Sequence, residues 1–285
     1  MTERSFTVLT HRRPDEVAEA LAKLRAAALQ AGVTLRFDAD ETAKHRLQPG
    51  DGVVLDADAS DRVDLCLVLG GDGTILTALR RYGGTSVPVF AINYGEVGFL
   101  ATVDPDGLDE GIDRALSGNF EAMALPALAV SSSAGSSWRA INDVSFHRKP
   151  GHRVAHLSYA IGDDEVGRVR CHGLVVATPA GSTGYNLANG GPVMAWGVEG
   201  FVVSFIAPHS LTARTLVVAP ADTLTVRNCS REEATDVTVD GRPICELGAD
   251  QALEARFEHS YAQLAQVSGA NFYHRLRERF GRLAS

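Results

Sequence analysis

Hydrophobic and polar positions repeat with two different periods along this chain, and the change of period divides it. In the first part, apolar runs of strand length alternate with segments whose apolar residues recur at helical spacing. Phe6 to Leu9 reads as a short strand, Pro14 to Gln30 as a helix ending at Gly32, Thr34 to Phe37 as a second strand, and Leu65 to Leu69 as a third. Thr74 to Tyr82 reads as helix, Val87 to Ile92 as strand, and Asp106 to Leu116 as helix closed by Gly118. This order predicts a parallel sheet covered by helices, with ligands at the carboxyl ends of the strands. From Pro126 the pattern becomes short β runs: Trp138 to Phe146, Val154 to Ile161, Arg168 to Ala177, Phe201 to Ala207, Thr223 to Arg227 and Asp236 to Val239. Ile161 to Gly167 and Asp240-Gly241 read as hairpin tips, and Phe272 to Phe280 as a terminal helix. The expected domains are therefore 1–125, α/β, and 126–285, a mainly antiparallel β-sandwich, with the terminal helix free to pack back on the first.

Composition narrows the function classes. The 285 residues include 45% apolar positions, enough for one large or two ordinary cores. Acidic residues outnumber basic ones 35 to 27, for a formal charge of −8, which disfavours nucleic acid and anionic membranes as partners. No apolar run reaches the ~20 residues of a membrane helix, and the opening Met1-Thr2-Glu3-Arg4 leads into the first strand without a signal-peptide core. Cys66, Cys171, Cys229 and Cys245 are scattered, with no Cys-x-x-Cys pair. That usage predicts a reducing compartment, the cytoplasm, with neither a disulfide framework nor a zinc site.

The chemistry starts where the third strand ends. Leu65 to Leu69 breaks into Gly70-Gly71-Asp72-Gly73, three glycines around one carboxylate, and a helix follows from Thr74. Glycines let backbone N–H groups close on an anion, and a helix N-terminus adds partial positive charge. Asp72 would repel a phosphate, so it suits a metal ion, a proton or a hydroxyl, or else caps the helix. The sixth position of a dinucleotide fingerprint falls on Leu76, and neither a Walker A motif nor a His-Arg-Asp loop is present. A second cluster, Ala177-Thr178-Pro179-Ala180-Gly181-Ser182-Thr183-Gly184-Tyr185-Asn186 with Gly190-Gly191-Pro192, offers N–H groups, hydroxyls and an aromatic face to a nucleotide. Ser182 lacks the Gly-x-Ser-x-Gly setting of a hydrolase nucleophile. The plainer alternative is a glycine-rich turn with Tyr185 in the core.

Taken in order, these motifs resemble the NAD kinase family. The resemblance covers residues 60 to 245 and rests on Gly70-Gly71-Asp72-Gly73-Thr74, Asn93 to Leu100, Asn142-Asp143, Thr178 to Tyr185, Gly190-Gly191-Pro192 and Pro208-His209-Ser210-Leu211. The glycine turn is shared with lipid kinases and phosphofructokinases, whereas the Thr-Pro-x-Gly-Ser-Thr-x-Tyr block is specific. The resemblance implies a Rossmann-like first domain and transfer of the ATP γ-phosphoryl group to the 2′-hydroxyl of the adenosine ribose of NAD, with Mg²⁺ on the triphosphate. It implies Asp72 as the catalytic base, with Gly71, Gly73 and Thr74 against phosphate. Asp72, Gly73, Asn142, Asp143, Thr183, Gly184, Tyr185, Asn186 and Ala188 would line the dinucleotide, joined by His156, Arg170, His172, Ala207 and Arg242. His156 and Arg170 have plainer readings as a satisfied sheet histidine and a surface charge. No residue is assigned as a protein metal ligand, and a homodimer or homotetramer is implied.

Two positions depart from the family. Where it has an acidic residue that is thought to accept from the nicotinamide carboxamide, this chain has His172, which accepts only when neutral. Where alanine is common it has Gly184, expected to leave a methyl-sized space. The competing readings are a lipid kinase of the same superfamily and a non-catalytic NAD-binding module. A lipid kinase would need an apolar acyl slot and often a membrane-binding surface, and the Thr178 to Tyr185 block and an acidic, anchorless chain weigh against both. An intact Asp72 weighs against the non-catalytic module.

Overall fold

A computed structural model describes residues 4–58, 62–95, 98–267 and 272–281. Glu96 and Val97 of the Asn93 to Leu100 motif lie outside the described residues. The chain forms two compact units, Met1–Ala124 with Ala262–Ser285, and Leu125–Tyr261.

The first unit begins β1 (Arg4–Thr10), α1 (Ala18–Gln30), β2 (Val33–Arg36), α2 (Ala39–His45), β3 (Val53–Val54), β4 (Leu65–Gly70), α3 (Asp72–Arg81), β5 (Pro88–Asn93) and α4 (Leu108–Ser117). The periodic segment from Pro14 starts as a 3₁₀ turn over Pro14–Val17, because proline presets the first turn of a helix. The strand order is β5-β4-β1-β2-β3, all parallel. Phe6, Leu24, Leu35, Leu67, Phe90 and Ile112 fill the core beneath the helices. The short α2 escaped the apolar pattern because its one buried residue is Glu41; its signal is Asp38, whose carboxylate accepts from the Glu41 N–H at 2.9 Å.

The second unit carries β6 (Glu121–Ser132, entering from the first unit), β7 (Ser137–Ala140), β8 (Asp143–Arg148), β9 (Ala155–Ile161), β10 (Asp164–Cys171), β11 (Gly173–Ala177), α5 (Tyr185–Ala188), β12 (Phe201–Ile206), β13 (Leu216–Val218), β14 (Thr223–Asn228), β15 (Thr235–Val239), β16 (Arg242–Leu247) and β17 (Ala252–Gln266). One antiparallel layer runs β10-β9-β14-β17 and the other β13-β12-β11-β8-β15-β16. Between them pack Phe146, Leu157, Val169, Leu174, Phe201, Val203, Leu224 and Val237, the core of a β-sandwich.

Three expectations are corrected. Trp138 to Phe146 is two strands, β7 and β8, parted at Ile141-Asn142. Arg168 to Ala177 is also two, and His172 is the hinge where the chain leaves one layer and enters the other. Residues from Ala262 onward belong to the first unit, not the second: Gln263 and Leu264 at the end of β17 pair in parallel with Pro88 and Val89 of β5, and α6 (Phe272–Phe280) follows.

Candidate active site

In the first unit the glycine turn closes β4 and opens α3. Gly70 has no room for a side chain because a Cβ there would lie 2.8 Å from Thr74, and Gly71 lies against the Gly95 backbone, where a Cβ would approach Cα to 2.9 Å. Gly73 differs, since a Cβ there would meet nothing within 4 Å and the residue is exposed. Its bareness leaves the first turn of α3 open to a bulky anion. The helix cap is Gly71, so Asp72 is the first helical residue and not the capping side chain. Its carboxylate instead accepts backbone N–H groups from Phe99 at 3.2 Å and Leu100 at 3.1 Å, one on each oxygen. This clasp fixes the Asp72 carboxylate beside the first turn of α3. The loop beside it is held in turn, as Asn93 accepts from the Gly95 N–H and donates to Asp104.

The clasp is anchored from the chain's final helix. Arg275, 7% exposed, donates to the carbonyls of Gly98 at 3.1 Å and Thr102 at 3.2 Å, bracketing Phe99 and Leu100. Phe280 packs on Phe99 with ring centroids 5.4 Å apart.

The second unit gathers most of its expected site residues into two groups. The first surrounds the break between β7 and β8. The Asn142 carbonyl accepts from the Thr178 N–H at 2.9 Å, and the Thr178 hydroxyl donates to Ile141 at 2.6 Å. Gly181 fits because a Cβ there would lie 2.0 Å from the Asn142 carbonyl oxygen. The Asn142 amide oxygen is buried and has no partner. A buried acceptor left unpaired costs free energy unless a ligand completes it. Beside it, burial and then the Asp240 charge push the Asp143 carboxyl up to about 7. Tyr185 is 36% exposed, which excludes the core reading, and stacks on His147 with centroids 5.6 Å apart and 22° between planes.

Other residues of that block are internal braces. Asn186 is fully buried and donates to the carbonyls of Ser182 and Pro192, so it shapes the loop and does not reach solvent. Ser182 is also fully buried, with its hydroxyl on Pro179 and Met194. Thr183 donates to Ala180, while Gly184 and Ala188 are exposed. The space expected at Gly184 is not open: a Cβ would sit 3.3 Å from the Gly181 carbonyl.

The second group lies at the hinge. His156 and Arg170 are cross-strand neighbours on β9 and β10. The His172 N–H donates to Ile206 and the His209 N–H to Arg170, so the exposed Ala207, at φ 41°, runs beside Arg170 and His172. The His172 and His209 rings lie 5.7 Å apart. Arg242 is exposed and follows the tip at Asp240-Gly241. Sequence reasoning took Asp240 only as a turn residue, and it passed over Arg275, His147 and the ring of His209.

Known proteins set these features in a family. The model of the ATP-NAD kinase N-terminal domain matches residues 9–120, and that of the ATP-NAD kinase C-terminal domain matches residues 141–267. An NAD kinase of Gemmatimonas aurantiaca is 34% identical over 77% of this chain and 78% of its own, and one of Symbiobacterium thermophilum is 35% identical over 83% and 85%. Among solved structures, yeast NADH kinase complexed with NADH superposes with a TM-score of 0.87 at 21% identity, covering 99% of this chain and 89% of that one. An NAD kinase from Archaeoglobus fulgidus in complex with ATP gives 0.69 at 24% identity, covering 98% and 97%. The two structures share the fold, and the sequence relatives carry the activity and favour it over lipid phosphorylation. With both family domains present in order and the glycine turn and its carboxylate in place, this chain belongs to the NAD kinase family, enzymes that transfer a phosphoryl group from ATP to NAD.

Proposed function

We propose that Asp72 is the base of this transfer and that Asn142 and Asp143 hold the nucleoside of NAD. The observation that carries the reading is the clasp on Asp72. Its carboxylate is held at the start of α3 by two N–H groups, placed where an oxygen can take the proton of the ribose 2′-hydroxyl as the new P–O bond forms. The first turn of α3, with Gly71, Gly73 and Thr74, receives phosphate. The unpartnered Asn142 oxygen accepts from a ligand N–H, Asp143 accepts from a sugar hydroxyl, and Tyr185 supplies a stacking face. Arg170, His172 and Ala207, with His156 alongside and Arg242 after the Asp240-Gly241 tip, bear on the rest of the dinucleotide.

Mg²⁺ fits this donor set. Among the described residues no three His, Cys, Asp or Glu side chains form a metal-binding group, and Mg²⁺ is commonly held by one carboxylate together with substrate phosphates. Asp72 is the carboxylate that would hold it, and the ion would neutralise charge on the triphosphate. The working form is a homodimer or homotetramer in the cytoplasm; among the described residues no helix is long and apolar enough to cross a membrane.

The roles separate kinetically. With ATP, Mg²⁺ and NAD supplied and NADP read by an NADP-specific dehydrogenase, Asn142→Ala raises the KM for NAD and Thr74→Val the KM for ATP. Asn142→Ala acting on ATP alone would remove Asn142 from the nucleoside.

A further inference from the structure

Asp240 ends β15 at a two-residue loop, with Val239 and Arg242 paired across it. Asp240 has φ 47° and Gly241 φ 74°, the two positive values of a type I′ hairpin turn. Aspartate is tolerated there, yet asparagine and glycine suit the turn at least as well. The turn alone does not explain a carboxylate.

Its side chain does. Oδ1 accepts from the Asn142 N–H at 2.7 Å and the Asp143 N–H at 3.2 Å, and Oδ2 accepts from the Ile141 N–H at 3.2 Å. The Asp240 N–H donates back to the Asp143 carbonyl at 2.8 Å. Three consecutive amide protons at the break between β7 and β8 thus converge on one carboxylate almost one hundred residues away in the sequence. On the opposite side Thr178 takes the Asn142 carbonyl. Asn142 is therefore held through both backbone groups while its side-chain oxygen stays unpaired.

We propose that Asp240 is a positioning residue for the nucleoside of NAD, its carboxylate fixing the Ile141-Asn142-Asp143 backbone so that the Asn142 amide and the Asp143 carboxyl face the ligand together. The inference rests on the reading that Asn142 and Asp143 hold that nucleoside. Asp240 does not touch substrate in this scheme; it acts through the two residues that do.

A second consequence is electrostatic. Among the described residues, Asp240 from the hairpin tip and Tyr185 from α5 bear on the Asp143 carboxyl. His147, two residues along β8, stacks on Tyr185. Asp240 also lies in the field of Tyr261 on β17, beside Arg139 and Glu258. Negative charge at Asp240 favours the proton on Asp143, so its removal lets Asp143 ionise at lower pH.

Asp240→Asn and Asp240→Gly both keep the turn and lose the carboxylate, so a folding failure of one leaves the other. Each should raise the KM for NAD about tenfold, the scale of losing a charged hydrogen-bond acceptor, with kcat and the KM for ATP little changed. The pH dependence of NAD affinity, read by calorimetric titration, should move to lower pH. Gly241→Ala strains the same turn without touching the carboxylate and serves as the control; it should lower Tm and leave the KM for NAD alone. An unchanged KM for NAD and pH profile in both Asp240 variants would overturn the proposal, as would an equal KM rise in Gly241→Ala. Asn142→Ala run in parallel separates the two ideas. If it leaves the KM for NAD unchanged, the nucleoside is misplaced; if it raises KM while the Asp240 variants do not, only the role of Asp240 fails.

Discussion

Two carboxylates in this protein are governed by opposite surroundings. Asp72 is met by amide donors, whereas Asp143 is buried near a second negative charge. Asp72→Asn keeps the size of the side chain and can accept from only one of the two amides, and it cannot take a proton, so kcat should fall about 10²–10⁴-fold with NAD affinity largely kept. Steady-state kinetics with calorimetry check this, and a near wild-type kcat removes Asp72 from proton transfer. Asp143 makes a prediction about stability. An unfolded aspartate loses its proton near 4, while folded Asp143 keeps its proton up to about 7. The folded state thus binds the extra proton between these values, and the contribution of Asp143 is present below pH 4 and lost as pH rises through 7. Each pH unit in that window costs about 1.4 kcal/mol. Urea unfolding at pH 5 and pH 8 should show Asp143→Asn gaining on the wild type as pH rises. A constant difference between the two would contradict the buried carboxyl.

At the scale of elements, the glycine loops are packing solutions before they are chemistry. Gly181→Ala places a methyl carbon 2.0 Å from the Asn142 carbonyl oxygen, so the backbone there must move. Overpacking of this kind costs about 1–3 kcal/mol. Tm should drop and NAD binding weaken together, and a variant with a normal KM for NAD would show that Asn142 tolerates the shift. The same elements show what a sequence makes legible. Strands β4, β5 and β9 announce themselves because burial on one or both faces leaves a local apolar pattern. The break at Asn142 is less plain, since the apolar positions Trp138 and Ala140 before it and Val144 and Phe146 after it share one phase. What ends β7 there is Asp240, almost one hundred residues later, and the code for that contact is not local. The hinge at His172 is hidden in the same way, because Val169 and Leu174 both face the core while their strands belong to different layers. Strand β17 is legible as β4, β5 and β9 are, since Leu253, Ala255 and Phe257 alternate with Glu254, Arg256 and Glu258, the period of a half-buried strand. The motifs themselves were legible, because a glycine required by close approach has no substitute.

At the scale of the molecule, the first unit is assembled from both ends of the chain. The loop that clasps Asp72 is held by a side chain of α6, so Arg275→Ala should release the carbonyls of Gly98 and Thr102 and loosen the amides on Asp72. The expected result is a lower kcat with NAD affinity nearly intact, the reverse of the pattern for Asn142→Ala. Parallel kinetic and calorimetric measurements decide it. Loss of NAD binding at unchanged kcat would place Arg275 in a different role.

Synthesis on the ribosome runs from one end, and this arrangement gives it an order. A nascent chain halted after Tyr261 has already delivered Asp72, Asn142 and the whole sandwich, yet it lacks the edge of the parallel sheet at Gln263-Leu264 and the arginine that braces the clasp. Domains generally fold as units during translation. Here the sandwich can close first, while the unit coded before it must wait for residues coded after it. Ribosome-stalled chains probed with protease should show the sandwich protected before the Phe99 loop. The loop that clasps Asp72 is thus braced only once the segment beyond the sandwich has been made.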